Sequence, residues 1–244
     1  MYMARRRFIV DRVDEGQAQI AGDDAHHLAR VLRVEPGQKF EVSDSGRLWL
    51  ATVSAVRKNL VLFSLDEELE TPPASPEVTL FLALIKFDSF EWAVEKATEL
   101  SVSRIVPVEA ARSEQGLSQA AKKRVERWRR VAKEASEQSR RLRAPEIGEP
   151  VGFSAALRTP ASHRIWLDEK PGAPPLIEAL ELQPGDSTAL LIGPEGGWSD
   201  PERTDLIGAG WKGASLGRSV LRAETAVCAA LAVFAQLAMT RMPR

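Results

Sequence analysis

From about residue 78 onward the chain alternates short apolar runs with longer amphipathic stretches: "VTLFLALI", "FEWAVEKATEL", "RIVPVEA", a long basic stretch, "RIWLD", "ALLIGP", "SDPERTDLIGAG", "GASLG" and an Ala-rich C-terminal segment. Strands separated by helices lie parallel in one sheet, with the helices covering both faces, so this part is of the α/β class. Ligands of such sheets sit beyond the carboxyl ends of the strands. The chemistry is therefore sought in the loops that follow the apolar runs.

The chain up to about residue 65 reads differently. "KFEVSD", "LWLATVSAV" and "NLVLFSL" alternate apolar and polar residues between "EPGQ" and "DSGR" turns, the signature of a small, mostly β domain. "DDAHHLARVLRV" places Leu28, Val31 and Leu32 at helical spacing behind an Asp that can cap, so one short helix is expected among the strands. "DEELETPPASPE" is rich in acid and proline and has almost nothing to bury, and the boundary between domains is placed there. The single Cys228 excludes an internal disulfide framework, and "MYMARRRFIV" has no apolar stretch long enough for a signal peptide, so a cytoplasmic location is expected. "AVCAALAVFAQLAM" falls short of the roughly 20 apolar residues of a membrane span and reads as a buried helix.

Two loops stand out. "LLIGPEGGWSDPE", residues 190 to 202, ends an apolar run in a Gly and Pro cluster, but it lacks the Gly-Lys-Ser/Thr of a phosphate-binding P-loop and the Gly-x-Gly-x-x-Gly of a dinucleotide fold. Alone it is equally a tight strand-to-helix turn, with Gly196 and Gly197 at positive φ, Ser199 or Asp200 as a cap and Pro201 in the first helical turn. "ASLGRSVLRAETA", residues 214 to 226, is a second Gly-broken strand end, followed by an Arg-rich loop and a helix.

Taken with "RRRFIV", "HHLARVLRVEPGQ", "KFDSFEWAVEKATELSVSRIVPV" and "EASEQSRRLRAPEI", these paired loops make the chain resemble the RsmE family, the small-subunit (16S) ribosomal RNA uridine N3-methyltransferases of the SPOUT superfamily. Ser101 stands where that family usually has Gly, and Trp198 where Phe is common. A non-Gly residue at Ser101 meets a steric cost if the turn needs positive φ.

The resemblance implies a PUA-like β-barrel RNA-binding domain over residues 1–68, a linker over 69–77, and a SPOUT methyltransferase domain over 78–244. It further implies a deep trefoil knot near 165–230, which no count of strands and helices would suggest because knots are rare exceptions to the rules of chain connection. With the knot come S-adenosyl-L-methionine as cofactor, a homodimer through the knotted domain, and 16S ribosomal RNA or the assembled small subunit as partner. The implied cofactor residues are Leu167, Leu191, Ile192, Gly193, Pro194, Glu195, Gly196, Gly197, Leu216, Gly217, Val220 and Leu221. An apolar slot with backbone donors suits a flat adenine, and glycines let the backbone come close.

Methylation of uridine N3 removes the imide proton and builds charge on the uracil oxygens, so a positioned cation serves it. Arg222 is the candidate for contact with the target base or its flanking phosphate; its alternative is a structural salt bridge near the C-terminus. Glu224 is a candidate proton acceptor, directly or through water, and equally a carboxylate that favours the dipole of the last helix.

Residues 122–143, "KKRVERWRRVAKEASEQSRRLR", carry ten Lys and Arg against three Glu, in a chain of 33 basic and 34 acidic residues. Ala121, Val125, Trp128, Ala132 and Ala135 form one apolar face, so the rest is read as a phosphate-tracking surface rather than only a solvated helix face. Arg5, Arg7, Arg30, Arg33 and Arg140 are the candidate RNA contacts, with Arg6, Glu137 and Gln138 secondary to them. His26 and His27 are read as one core-facing and one exposed residue, Cys228 as a small buried hydrophobe, and no Cys, His and carboxylate spacing suggests a metal site. Two other functions compete: an RNA-binding module without turnover, which has no need of two Gly-broken strand ends, and a SPOUT enzyme acting on another RNA or on a ribose 2′-hydroxyl.

Overall fold

The computed structural model describes residues 6–71, 77–114, 116–170, 172–183 and 185–241. The chain divides into two compact units, one of Met1–Pro73 with Ser136–Ala144, the other of Ala74–Ala135 with Pro145–Arg244.

The first unit contains β1 (Arg7–Ile9), β2 (Arg12–Asp14), β3 (Gln17–Ala21), α1 (Gly22–Arg30), β4 (Lys39–Ser43), β5 (Leu48–Arg57) and β6 (Leu60–Leu69). They make a six-stranded sheet in the order β1-β4-β5-β6-β3-β2, antiparallel apart from the β1–β4 pair. Alternation sets its core: Val61 and Phe63 of β6 face inward with Phe8, Ile20, Val42, Ala51 and Val53, while Ser64 between strand neighbours is exposed. α1 adds Ala25 and Leu28 to this core. Its N-cap is Ala21, whose N–H donates to Asp11 Oδ2 at 2.9 Å, and Asp23 and Asp24 occupy the first turn, where carboxylates suit the helix dipole. Val31 ends up exposed beyond the helix, and His26 and His27 are both exposed, because the two histidines fall on the helix face opposite Ala25 and Leu28.

The acidic start of the connecting segment is strand: β6 continues through Asp66–Leu69, paired with Leu48–Leu50 of β5. Asp66 accepts from Thr52 Oγ1 at 2.7 Å and pairs with Lys39, and those partners hold its carboxyl below the usual range. The segment Ser136–Ala144 is bound into this same unit. Glu137 is buried and accepts from the Ile9 N–H at 3.2 Å, and Ser43 Oγ donates to the Leu142 carbonyl at 2.6 Å.

The second unit follows the βα alternation: β7 (Glu77–Ala83), α2 (Phe87–Glu99), β8 (Arg104–Glu109), α3 (Leu117–Lys122), α4 (Val125–Gln138, in this unit to Ala135), β9 (Glu146–Ile147), β10 (Val151–Gly152), α5 (Phe153–Leu157), β11 (His163–Leu167), α6 (Leu176–Ala179), β12 (Ser187–Ile192), α7 (Asp200–Gly208), β13 (Lys212–Ala214) and α8 (Ala223–Arg241). The sheet is parallel throughout, in the order β10-β8-β7-β12-β11-β13, with β9 on β8.

Buried on both faces, its strands split their side chains between two cores. Leu190 and Ile192 join Leu80, Leu82, Ile165 and the inner faces of α2, α4 and α8; Ala189 and Leu191 join Phe81, Val106, Trp166, Trp198, Leu206 and Trp211. The face Ala121, Val125, Trp128, Ala132 and Ala135 is buried as its spacing predicts, with Trp128 stacked on Phe90 at 4.4 Å between ring centroids. α8 is long and apolar enough to cross a membrane, yet Val227, Ala230, Leu231 and Phe234 are core residues of this unit.

Candidate active site

The carboxyl ends of β11, β12 and β13 open onto a cleft of about 210 Å³. Its walls are Leu167–Glu169 after β11, Ile192–Trp198 after β12, and Ser215–Gly217 with Ser219–Leu221 after β13; Ala223 and Ala226 of α8 close one side. The two Gly-broken loops thus meet at one place. Of the twelve residues expected to hold the cofactor, eleven line the cleft. Leu191 does not: it is fully buried in the opposite core, because strand side chains alternate and Ile192 takes the cleft-side position. Val220 and Leu221 form an exposed rim rather than a buried slot.

Local chemistry explains why the β12 loop stays in shape. Only one of the two expected glycines, Gly197, has positive φ, at 68°. The Trp198 indole lies under the loop, donating from Nε1 to the Leu167 carbonyl at 2.9 Å, and a Cβ at Gly193 would meet that ring at 2.9 Å. Ser199 is the N-cap of α7 in a complete capping box: its Oγ accepts from the Glu202 N–H, and Glu202 Oε2 accepts from the Ser199 N–H at 2.8 Å. Glu202 Oε1 also accepts from the Ala111 N–H at 2.8 Å, and Arg112 donates from Nη1 to the Gly196 carbonyl at 2.8 Å.

Behind the loop, next to Leu167, lies a charged cluster that the sequence does not announce. Arg203 of α7 is 8% exposed and donates to the Trp198 carbonyl, to Asp168 Oδ1 at 3.0 Å and to Glu169 Oε1 at 2.6 Å. Lys170 Nζ donates to Asp200 Oδ1 at 2.7 Å, which lowers the Asp200 pKa. No local motif marks these pairs. Their one sequence signal is the polar "DEK" directly after an apolar strand.

Arg222 is exposed, sits between the cleft residues Leu221 and Ala223, and makes no side-chain bond or ion pair with any described residue. Arg218 is exposed on the same loop. Glu224 does not line the cleft. Ala223 and Ala226 take the cleft side of α8, so Glu224, about 100° round the helix from Ala223, turns toward α2, where its Oε1 accepts from Ser89 Oγ at 3.5 Å. Its Oε2 is buried without a partner among the described residues. Burial raises the Cys228 pKa, in keeping with an inert thiol.

The candidate RNA cations separate into two sets. Arg7 is 6% exposed and donates to Glu41 Oε2 at 2.8 Å and to the Arg140 carbonyl; Arg140 itself pairs with Glu41. Arg7 and Arg140 thus both neutralise the half-buried Glu41, Arg7 from a buried position and Arg140 from an exposed one. Glu137 is structural for the reason given above. Arg6, Arg30, Arg33 and Gln138 are exposed, while Arg5 lies outside the described residues. On the basic helix, Arg124 and Arg127 pair with Glu91, whose pKa falls through the Arg127 hydrogen bond, and Arg129 pairs with Glu126 and Glu149. Burial, with Arg143 beside it, pushes Arg141 down to about 10.

A parallel sheet in which β12 and β13, on either side of β11, end in two Gly-rich loops around one cleft, with a small β unit preceding it in the chain, defines an RNA methyltransferase domain architecture. The model of the RNA methyltransferase domain matches residues 72–235, and that of the RNA methyltransferase PUA domain matches residues 20–66. Ribosomal RNA small subunit methyltransferase E of Mycobacterium tuberculosis is 34% identical over 94% of this chain and 90% of its own length. That of Aquifex aeolicus is 32% identical over 84% and 88%. In three dimensions, the chain is similar to the Neisseria gonorrhoeae ribosomal RNA small subunit methyltransferase E bound to S-adenosyl methionine, with a TM-score of 0.84 and 25% identity over 96% of this chain and 98% of that one. A Legionella pneumophila methyltransferase in complex with the same cofactor gives a TM-score of 0.86 at 27% identity, over 97% and 98%. The chain belongs to the ribosomal RNA small subunit methyltransferase E family.

Proposed function

We propose that this protein uses S-adenosyl-L-methionine to methylate N3 of a specific uridine in small-subunit 16S ribosomal RNA. The observation that carries the reading is the single cleft walled by both Gly-broken loops. Its residues suit the cofactor: Ile192, Leu216 and Ala226 offer apolar surface to a flat base, and Gly193, Gly196 and Gly197 let the loop backbone come close. At about 210 Å³ it is smaller than the roughly 300–1,000 Å³ of sites that engulf a ligand, which suits a site left open on one side for the acceptor base.

The bound cofactor supplies an electrophilic methyl group on a sulfonium. This chain holds it between the two loops and presents Arg222, exposed at the rim and without an ion-pair partner among the described residues, to the incoming nucleotide. There the guanidinium stabilises charge on the uracil oxygens, or grips the flanking phosphate, as N3 gives up its proton and takes the methyl. Exposed Arg30 and Arg33 provide phosphate contacts outside the cleft. Residues 1–68 act as the RNA-binding domain and 78–244 as the catalytic one, joined through 69–77, with a trefoil knot near 165–230.

The reading includes a homodimer through the second domain. From Thr225 to Thr240 α8 carries no charged side chain, and its outer face presents Thr225, Ala232, Gln236 and Met239 to solvent, with Ile177 exposed on α6. An apolar helix face of this kind is covered best by a second copy.

The test incubates 16S ribosomal RNA and small subunits with the protein and labelled cofactor, then maps the label by mass spectrometry. Label on N3 of one uridine is expected, and Arg222→Ala lowers its rate roughly 100-fold with the melting temperature unchanged. Label on a ribose or on another RNA defeats the assignment.

A further inference from the structure

Resting on the reading of the cleft as the cofactor site, we propose that Arg203 is a positioning residue that sets the spacing between two of its walls. Arg203 does not line the cleft. It lies in the first turns of α7 and bonds in two directions: to the Trp198 carbonyl at the end of the β12 loop, and to Asp168 and Glu169 at the end of β11. Asp168 is itself fixed, its N–H donating to the Ala214 carbonyl at 2.9 Å and its Oδ1 accepting from the Lys170 N–H at 3.1 Å. One guanidinium therefore ties β11, β12 and, through Asp168, β13.

The geometry leaves little slack. Glu169 Oε1, held by Arg203 at 2.6 Å, lies 2.5 Å from where a Cβ on Gly197 would be. The carboxylate thus lies against the loop backbone, and wherever Arg203 puts it, the loop must follow. Three acceptors on two segments need a planar fork of donors, which a lysine ammonium does not supply. A buried ion pair adds little net stability, since desolvation offsets its attraction. What this cluster contributes is a fixed separation between Leu167–Glu169 on one side and Gly193–Trp198 on the other, the separation a ligand lodged between them requires.

The test titrates S-adenosyl-L-methionine by calorimetry into the wild type, Arg203→Lys, Glu169→Gln and the double variant, and follows melting without ligand. Arg203→Lys is expected to bind roughly 10- to 100-fold more weakly while melting within a few degrees of wild type. Because Glu169 acts through the same fork, its substitution is expected to weaken binding alone but to add almost nothing in the Arg203→Lys background. A fold-supporting residue without this role would shift melting and leave the affinity unchanged. Wild-type affinity in Arg203→Lys overturns the proposal. Should Arg203→Lys fail to fold, Glu169→Gln decides alone, and unchanged affinity in it overturns the proposal. A wild-type protein that binds no cofactor overturns the reading of the cleft instead.

Discussion

Gly197 shows how much one missing methyl carries. Its φ of 68° belongs to the left-handed region, and an added Cβ would strike Glu169 Oε1 at 2.5 Å, an oxygen that Arg203 does not free to move. Gly197→Ala is therefore expected to cost about 1–3 kcal/mol in a denaturant melt and to weaken S-adenosyl-L-methionine binding in titration; an unchanged melt and affinity would show that the loop tolerates the shift. Ser101 is the complementary case. The sequence alone flagged it as a non-Gly residue in a turn that asks for positive φ, and it sits at 68°. Glu224 was not legible in the same way, since its position fits both a reaction and a helix dipole until the phase of α8 separates it from Ala223 and Ala226.

At the level of elements, the β12 loop and α7 were readable because their signals are local: Gly-rich break, Ser199 cap, Pro201 in the first turn. Arg203 was not, because its partners lie 34 and 35 positions away and charge spacing along a chain says nothing about such pairs. The same limit hid the ion pairs of Arg7 and Arg140, whose shared partner Glu41 is remote from Arg140 in sequence. α8 makes its own demand. Half core, half uncharged surface, it is expected to lose its partner when a charge is placed on the outer face. Ala232→Glu should sediment as a monomer with its fold intact, whereas a monomeric wild type would refute the dimer.

Across the whole molecule, the two kinds of architecture are legible in the residues themselves, as period-two alternation up to Leu65 and βα alternation from Val78, because burial on one face or on two leaves different patterns in a sequence. Inside the basic stretch 122–143 the helix breaks, since α4 ends at Gln138 and Arg140 adopts φ 59°. Basic composition gave no warning of that break.

The binding of Ser136–Ala144 into the first unit has a consequence for biosynthesis. A domain at the N-terminus ordinarily finishes folding while the rest of the chain is still being made. Here Ile9, Ser43 and Glu41 wait for Glu137, Leu142 and Arg140, so the β unit matures only after the opening strands and helices of the second unit have emerged. A fragment ending at Thr71 should accordingly melt lower than the same unit in the intact chain, with added peptide 136–144 raising its melting temperature; equal melting would mean that the early strands need no late visitor.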